Sequence, residues 1–399
     1  MDVPVRHVVI LGGGSAGWLT AAVLAAEHQT ASDTGLRITL IESPDVATVG
    51  VGEGTWPTMR DTLRRTGVDE TDFIRECDAA FKQGSKFVRW REEVEGDYYH
   101  HPFVLPPGFL ETHLATGWMA HRDVPFSMLT CFQAHLCEAG KSPKQFATPE
   151  WAAVANYAYH LDAAKLGVFM RKHCVEKLGV RHIADHMVEV ETHENGDIAA
   201  LRTREHGAIE GDLFVDCSGM RALLIGQHYG VEIESQKDGL FNDRAIATRV
   251  PYADPGVEIA CQTISTAQDA GWIWDIGLQT RRGIGHVYSS THTSDEAAEA
   301  ALRRYIVATG GREQDIDTLP KIVIRPGFRR GAWHRNCVAI GLSSGFMEPL
   351  EASSLVMVEL AAGMLADQMP ATRAAVDIVA KRYNDIFSYR WDRIVDFLK

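Results

Sequence analysis

Hydrophobic residues fall into two rhythms along this chain: short unbroken runs, and runs at helical spacing. HVVIL (7–11) is of the first kind, and GGGSAG (12–17) separates it from WLTAAVLAAEH, which is of the second. An apolar run closed by glycine predicts a strand buried on both faces, so this stretch reads strand, turn, helix. RITLIES (37–43) is another such strand. DETDFIRECDAAFK (69–82) places Phe73, Cys77 and Phe81 on one side of a helix, with Lys82 in its last turn and Gly84 as C-cap. KFVRW (86–90) predicts a strand. From 91 to 150 the period fades and aromatics gather around Tyr98, Tyr99, His101 and Phe103, as in an inserted lobe with ring-bearing loops.

YAYHLDAAKLGVFMRKHCVEKLGV (157–180) reads as one helix with Leu161, Leu166, Phe169 and Cys174 inward, and the hairpin after it turns at ENGD (194–197). GDLFVDCSGMRALLIG (211–226) is a further buried strand that returns the chain to the first sheet, so the first domain is discontinuous. Over 240–300 the period drops to two, which puts Trp272, Trp274 and Ile276 on one face and Asp275 on the other, with RRG (281–283) as a turn. SDEAAEAALRRYI (294–306) predicts a capped helix.

Late in the chain, NCVAI (336–340) predicts a strand, and LVMVELAAGMLADQM (355–369) a helix stopped by Pro370. Glu351, Ser353 and Ser354 thus sit where a helix begins, and backbone N–H groups there can hold an anion. A carboxylate beside them suits general acid–base work or a cation, or simply offsets the helix dipole while the serines cap.

At 399 residues the chain fits a large domain or two lobes, and 45% apolar with 23% charged residues is an ordinary globular composition. A net charge of −13 argues against nucleic acid and anionic membrane as partners. The seven cysteines form no CxxC pair, which points to free thiols in a reducing, cytoplasmic setting. Residues 8–26 carry no charge and could imitate a membrane span, but their glycines favour strand–turn–helix, and MDVPVRH has no signal-peptide pattern.

Gly12, Gly14 and Gly17 satisfy G-x-G-x-x-G between a strand and a helix, and Glu42 ends the next strand, where it can accept from an adenosine ribose. The pattern suits NAD and FAD equally. TVGVGEGTWPT (48–58) is a second glycine-rich loop that either lies against a planar ring or is a plain surface turn.

GGGSAGW (12–18), GVGEGTWPT (50–58), AFKQGSKFVRW (80–90), GWIWDIGL (271–278) and FMEPLEASSL (346–355) occur in that order. Together these blocks resemble the flavin-dependent tryptophan halogenases over essentially the whole chain; any one alone is unspecific. The resemblance implies an α/β fold of the p-hydroxybenzoate-hydroxylase type. Its Rossmann-like FAD module would be 1–90, 151–225 and 320–370, and its inserted, largely helical substrate lobe 91–150, 226–319 and 371–399. It further implies that FADH2 from a separate reductase, with O2, oxidises chloride or bromide to hypohalous acid. That acid would pass through a tunnel to Lys82 and halogenate an indole or related aromatic.

By the same resemblance Lys82 captures or hydrogen-bonds the acid, and Glu351 takes the ring proton. Gly12, Gly14, Ser15, Ala16, Gly17 and Glu42 would hold the FAD diphosphate and ribose, with Val51, Gly52, Glu53, Gly54, Gly341 and Leu350 beside the flavin. The amides of Ser353 and Ser354 would hold halide, His101 and Phe103 would stack on substrate, and Trp272, Trp274 and Ile276 would shield the flavin. No metal, nucleic acid or membrane is implied, and a homodimer is left open.

Three departures stand out. The family's tryptophan motif usually ends in Ile-Pro, whereas Ile276 is followed here by Gly277; Ser353-Ser354 replaces Thr-Gly; and the chain stops at WDRIVDFLK, where relatives continue into a tail that clamps free tryptophan. The last makes indole or a larger indolic compound the expected substrate. Two other readings are a flavin hydroxylase, which needs no distant amine, and a non-catalytic flavin binder, which would be expected to lose Lys82 or Glu351.

Overall fold

The computed structural model describes residues 3–46, 50–92, 94–254, 256–316 and 319–399, so Thr48 and Val49, which open the second glycine-rich loop, lie outside it. A six-stranded sheet holds the N-terminal strand at its centre. Its order is Trp333–His334, Cys337–Ala339, Leu213–Asp216, His7–Leu11, Arg37–Glu42, Arg181–Ala184, and every pair is parallel except the first. Val8, Val9 and Ile10 are fully buried because both faces are covered. On one face the helix Ser15–Glu27 packs between Ala163–Glu176 and Ser353–Asp367. On the other, Ile198, Leu201 and Ile209 of the hairpin sheet meet Val9, Leu11 and Ile41. A continuous apolar run is what a doubly covered parallel strand requires.

A second, seven-stranded sheet runs Lys321–Val323, Arg244–Pro251, Arg281–Tyr288, Gly271–Gly277, Thr263–Gln268, Gly84–Val88, Tyr98–Pro102. The helix Asp295–Ala308 covers it through Ala298, Leu302 and Ile306 and is capped by Ser294, which accepts from the Ala297 amide. Three short helices, Leu114–Trp118, Phe126–Thr130 and Phe132–Glu138, follow the edge strand Tyr98–Pro102, while 226–319 supplies mainly strands besides the helix Asp295–Ala308, so this lobe is less helical than expected. A small antiparallel sheet, Glu53–Gly54, Ala158–Leu161, Ala80–Lys82, links the two units.

Three expected elements come out differently. The helix expected over 69–82 spans only Glu70–Glu76, and Ala80–Lys82 is a strand paired with Ala158–Leu161. Asp78, buried and at φ +53°, turns the chain out of the helix and accepts from Thr280 Oγ1 at 2.6 Å. The spacing of Phe73, Cys77 and Phe81 is compatible with either outcome, and a partner strand distant in sequence decides it: Phe81 meets Tyr157 edge-on at 5.3 Å. The expected 157–180 helix begins only at Ala163, because Asp162 accepts from the amides of Ala164 and Lys165; Leu161 is inward as a strand residue. RRG is no turn, since Arg281 already starts a strand.

Residues 371–399, assigned above to the second lobe, form the helix Arg373–Leu398. Its Tyr383, Phe387 and Trp391 are buried in the core of the first unit, with Tyr383 against Trp333 at 5.5 Å and Trp391 stacked on Phe328 at 5.8 Å. Among the described residues no helix is long and apolar enough to cross a membrane, and no cluster of ligating side chains could hold a metal ion. All seven cysteines are free and buried.

Candidate active site

The first glycine loop is tight on one side and open on the other. A Cβ on Gly12 (φ +118°) would lie 2.2 Å from the Cys217 carbonyl oxygen, and one on Gly17 would lie 1.8 Å from that of Gly12. Nothing comes within 4 Å of a Cβ on Gly14, so the backbone there faces open space at the helix start. Ser15, Ala16 and Gly17 form the first turn, and Gly341 (φ +80°) closes on it so tightly that a Cβ there would lie 2.7 Å from the Ala16 Cβ. The Glu42 side chain lies over Gly13, and its Oε2 is 3.0 Å from His182 Nε2, yet neither atom has a hydrogen-bond partner.

The second loop reaches from this side of the molecule to Lys82. Gly52 packs under Ile276, and Arg281 donates to the Val51 carbonyl while pairing with Asp162 at 2.7 Å. Burial pushes the Glu53 carboxyl up to about 7. Gly54 brings the loop close to Lys82: a Cβ there would sit 3.1 Å from Lys82 Nζ and 3.4 Å from Thr263 Oγ1.

Lys82 is 1% exposed, and among the described residues its Nζ makes no hydrogen bond or ion pair. The Phe103 ring centroid lies 5.5 Å from Nζ. Burial drives the amine down to about 8, with the charge of Glu351 acting in the opposite direction. That carboxylate is held at both oxygens: His101 Nδ1 lies 2.6 Å from Oε1, and Ser85 Oγ donates to Oε2 at 3.2 Å. Trp56 Nε1 donates to the Glu351 carbonyl at 2.5 Å. Ala352 is left-handed (φ +56°), which turns the chain sharply from Glu351 into the helix at Ser353. Neither serine hydroxyl caps that helix, so the amides of its first turn stay available. His160, fully buried opposite Gly54 and Ala80, is driven down to about 3 by burial and by Lys82, and its Nε2 is 2.9 Å from Thr263 Oγ1.

Lys82, Glu351, His101, Phe103 and Gly54 therefore meet in one place. Trp272 and Trp274 are not among these contacts. Trp272 and Trp274 are 6.2 Å apart on one strand face, as the two-residue period requires, and Trp272 Nε1 donates to Glu348 Oε2 at 2.6 Å. Leu350 lines a cavity of about 350 Å³ with Trp90, Trp272 and Glu348. Ser85, Trp56, His160, Thr263 and Glu348 were not singled out from the sequence. Ser85 lies in the quoted block at 80–90, but only the hairpin register shows that it faces His101.

Fold and site together describe an α/β protein with a glycine-rich strand–turn–helix at the centre of its parallel sheet and a buried lysine close to a gripped carboxylate. Residues 7–399 match the family model described as tryptophan halogenase. A crystal structure of a tryptophan halogenase from Shewanella frigidimarina is 48% identical at a TM-score of 0.94, covering 99% of this chain and 77% of that one. BrvH, a flavin-dependent halogenase from Brevundimonas sp. BAL3, is 35% identical at a TM-score of 0.87, covering 99% and 78%. Tryptophan 6-halogenase ThaL of Streptomyces albogriseolus is 37% identical over 100% of this chain and 76% of its own length.

The chain belongs to the tryptophan halogenase family and is a flavin-dependent enzyme with that family's Rossmann-like fold. The glycine loop fits FAD: its open backbone at Gly14, the free helix start and the Glu42 carboxylate, whose Oε2 accepts no hydrogen bond, suit a diphosphate and a ribose.

Proposed function

We propose that Lys82 and Glu351 halogenate an indole or related electron-rich aromatic with hypohalous acid made elsewhere in the same protein. The bound flavin, delivered as FADH2 by a separate reductase, supplies with O2 the oxidation of chloride or bromide to that acid. Gly12, Gly14, Ser15, Ala16, Gly17 and Glu42 hold its diphosphate and ribose, and Val51, Gly52, Glu53, Gly54, Gly341 and Leu350 flank its ring. The amides of Ser353 and Ser354 hold halide at the helix start. Trp272, Trp274 and Ile276 keep aromatic substrates from the flavin, and His101 and Phe103 present faces on which an indole can stack.

What carries this reading is Lys82, a buried amine over the Phe103 ring and, among the described residues, without a hydrogen bond or ion pair, close to a carboxylate gripped at both oxygens. With its pKa drawn down to about 8, the amine is available in both forms near neutrality. As ammonium it donates to the oxygen of HOX and polarises the O–X bond; as free amine it takes the halogen directly. Either way the halogen goes to the ring carbon, the oxygen leaves as water with a proton from the Lys82 nitrogen, and Glu351 takes the ring proton and returns it to that nitrogen, so that no proton is left over.

Reduced flavin, O2, bromide or chloride and a panel of indoles should yield products showing halogen isotope doublets. Lys82→Ala should abolish them while FAD binding survives. A product heavier by one oxygen and insensitive to Lys82→Ala would overturn the proposal, as would FAD binding without turnover of any aromatic.

A further inference from the structure

Ser85 and His101, which grip Glu351, belong to a row of three. On the parallel pair Thr263–Gln268 and Gly84–Val88, Thr263 is the register partner of Ser85, and Ser85 is in turn that of His101 on Tyr98–Pro102. Side chains in register on neighbouring strands share one face of the sheet. Two of the three hold the carboxylate, and the third stands at the amine. A Cβ on Gly54 would lie 3.1 Å from Lys82 Nζ, 3.4 Å from Thr263 Oγ1 and 3.6 Å from the Ala352 Cβ, so amine and hydroxyl border the same space. Thr263 is buried, and among the described residues its hydroxyl makes one hydrogen bond, with His160 Nε2 at 2.9 Å. Burial and the charge of Lys82 keep that imidazole neutral, so it fixes the hydroxyl without bringing a second charge to the pocket. A hydroxyl offers one proton and two lone pairs, and only one of these is spent on His160.

We propose that Thr263, fixed by His160, is the second holder of the hypohalous acid, binding its O–H end while Lys82 acts on the O–X bond. The inference deepens the function proposed above and rests on it. HOX carries its hydrogen and oxygen lone pairs at one end and the electrophilic halogen at the other. Ammonium Lys82 donates to the oxygen, and Thr263 Oγ1 accepts the HOX hydrogen or donates to the oxygen, according to which way its own proton lies. The halogen is then the one end left unheld, free to meet the aromatic carbon. Where the free amine takes the halogen, the same hydroxyl holds the oxygen as it leaves as water with a proton from Nζ. No bond to Thr263 forms or breaks in either route. Thr263 touches the reacting oxygen, whereas His160 acts through Thr263 and is a positioning residue.

Thr263→Val keeps the shape of the side chain and removes the hydroxyl, while Thr263→Ser keeps the hydroxyl. The measurement is a partition: reduced flavin, O2, bromide and an indole that the wild type brominates, with excess taurine in solution to trap escaping acid as its haloamine. The ratio of brominated indole to haloamine should fall about ten-fold in Thr263→Val, about three-fold in His160→Phe and less than about two-fold in Thr263→Ser. FAD binding, read by flavin fluorescence, is the fold control, and Thr263→Ala gives the same reading should the valine variant not bind FAD. A wild-type ratio in Thr263→Val, or an equal fall in Thr263→Ser, overturns the proposal. Loss of FAD binding in both the valine and alanine variants overturns it too, since Thr263 would then be a packing residue. A wild type that yields neither brominated nor chlorinated indole nor haloamine sinks the function proposed above. Normal halogenation with an unmoved ratio in Thr263→Val sinks this inference alone.

Discussion

Lys82 carries a cost in stability, because its amine is buried. Unfolded, its amine holds a proton to the ordinary 10.5; folded, burial lets it go at about 8. Between those values the unfolded chain binds more protons, so stability rises with pH across that window, and below it the full penalty is present. Lys82→Met keeps the length and drops the charge. It should stabilise the flavin-free protein by about 3 kcal/mol at pH 7 and by little near pH 10.5, read from urea melts at both pH values. Halogenation should disappear in the same variant. Melts that are equally displaced at the two pH values would mean that Lys82 is not desolvated.

At the scale of elements, the helix Ser353–Asp367 must present Glu351 at a fixed depth. Part of its anchoring is Glu359, 6% exposed, which accepts from Thr62 at 2.7 Å and Thr58 at 3.4 Å on the helix Thr58–Arg65. The same helix follows Trp56, whose indole N–H grips the Glu351 carbonyl, so the two contacts brace one corner of the pocket. Burial raises the Glu359 carboxyl from 4.5 to about 7. The folded protein therefore binds more protons between those values, and stability falls as pH rises through them. Glu359→Gln imitates the protonated form. It should match the wild type near pH 4.5 and exceed it by up to about 3 kcal/mol at pH 8.5 in denaturant melts. A constant difference across that range would contradict the assignment.

For the whole molecule, the last element in sequence completes the first unit in space. Val376, Ala380, Tyr383, Phe387, Trp391 and Val395 form one buried stripe of the terminal helix, and Tyr383 stacks on Phe387 at 4.2 Å. Trp391→Ala removes the ring stacked on Phe328 and should cost about 3–5 kcal/mol. Because that helix packs on the glycine-loop unit, the variant should also weaken FAD binding while KM for the aromatic stays near its wild-type value. A raised KM with unchanged FAD affinity would place this helix functionally with the substrate lobe.

The chain by itself determined what nearest neighbours encode. HVVIL, GGGSAG and the following helix specify strand, turn and helix because an unbroken apolar run, glycine and helical spacing act within one short stretch. The two-residue period of the Trp272 strand and the serine cap at 294 were legible for the same reason. Tertiary structure decided everything that needed a distant partner. DAAFK could end a helix or begin a strand until Ala158–Leu161 came alongside, and that pairing, not the local spacing, buried Lys82. The grip of Ser85 and His101 on Glu351 depends on a hairpin register and on the left-handed Ala352, neither of which leaves a trace in periodicity. Local propensity is worth tenths of a kcal/mol per residue, whereas burying a charge or completing a sheet is worth several. Where the two compete, the long-range term wins, and in this protein it wins at Lys82 and Glu351.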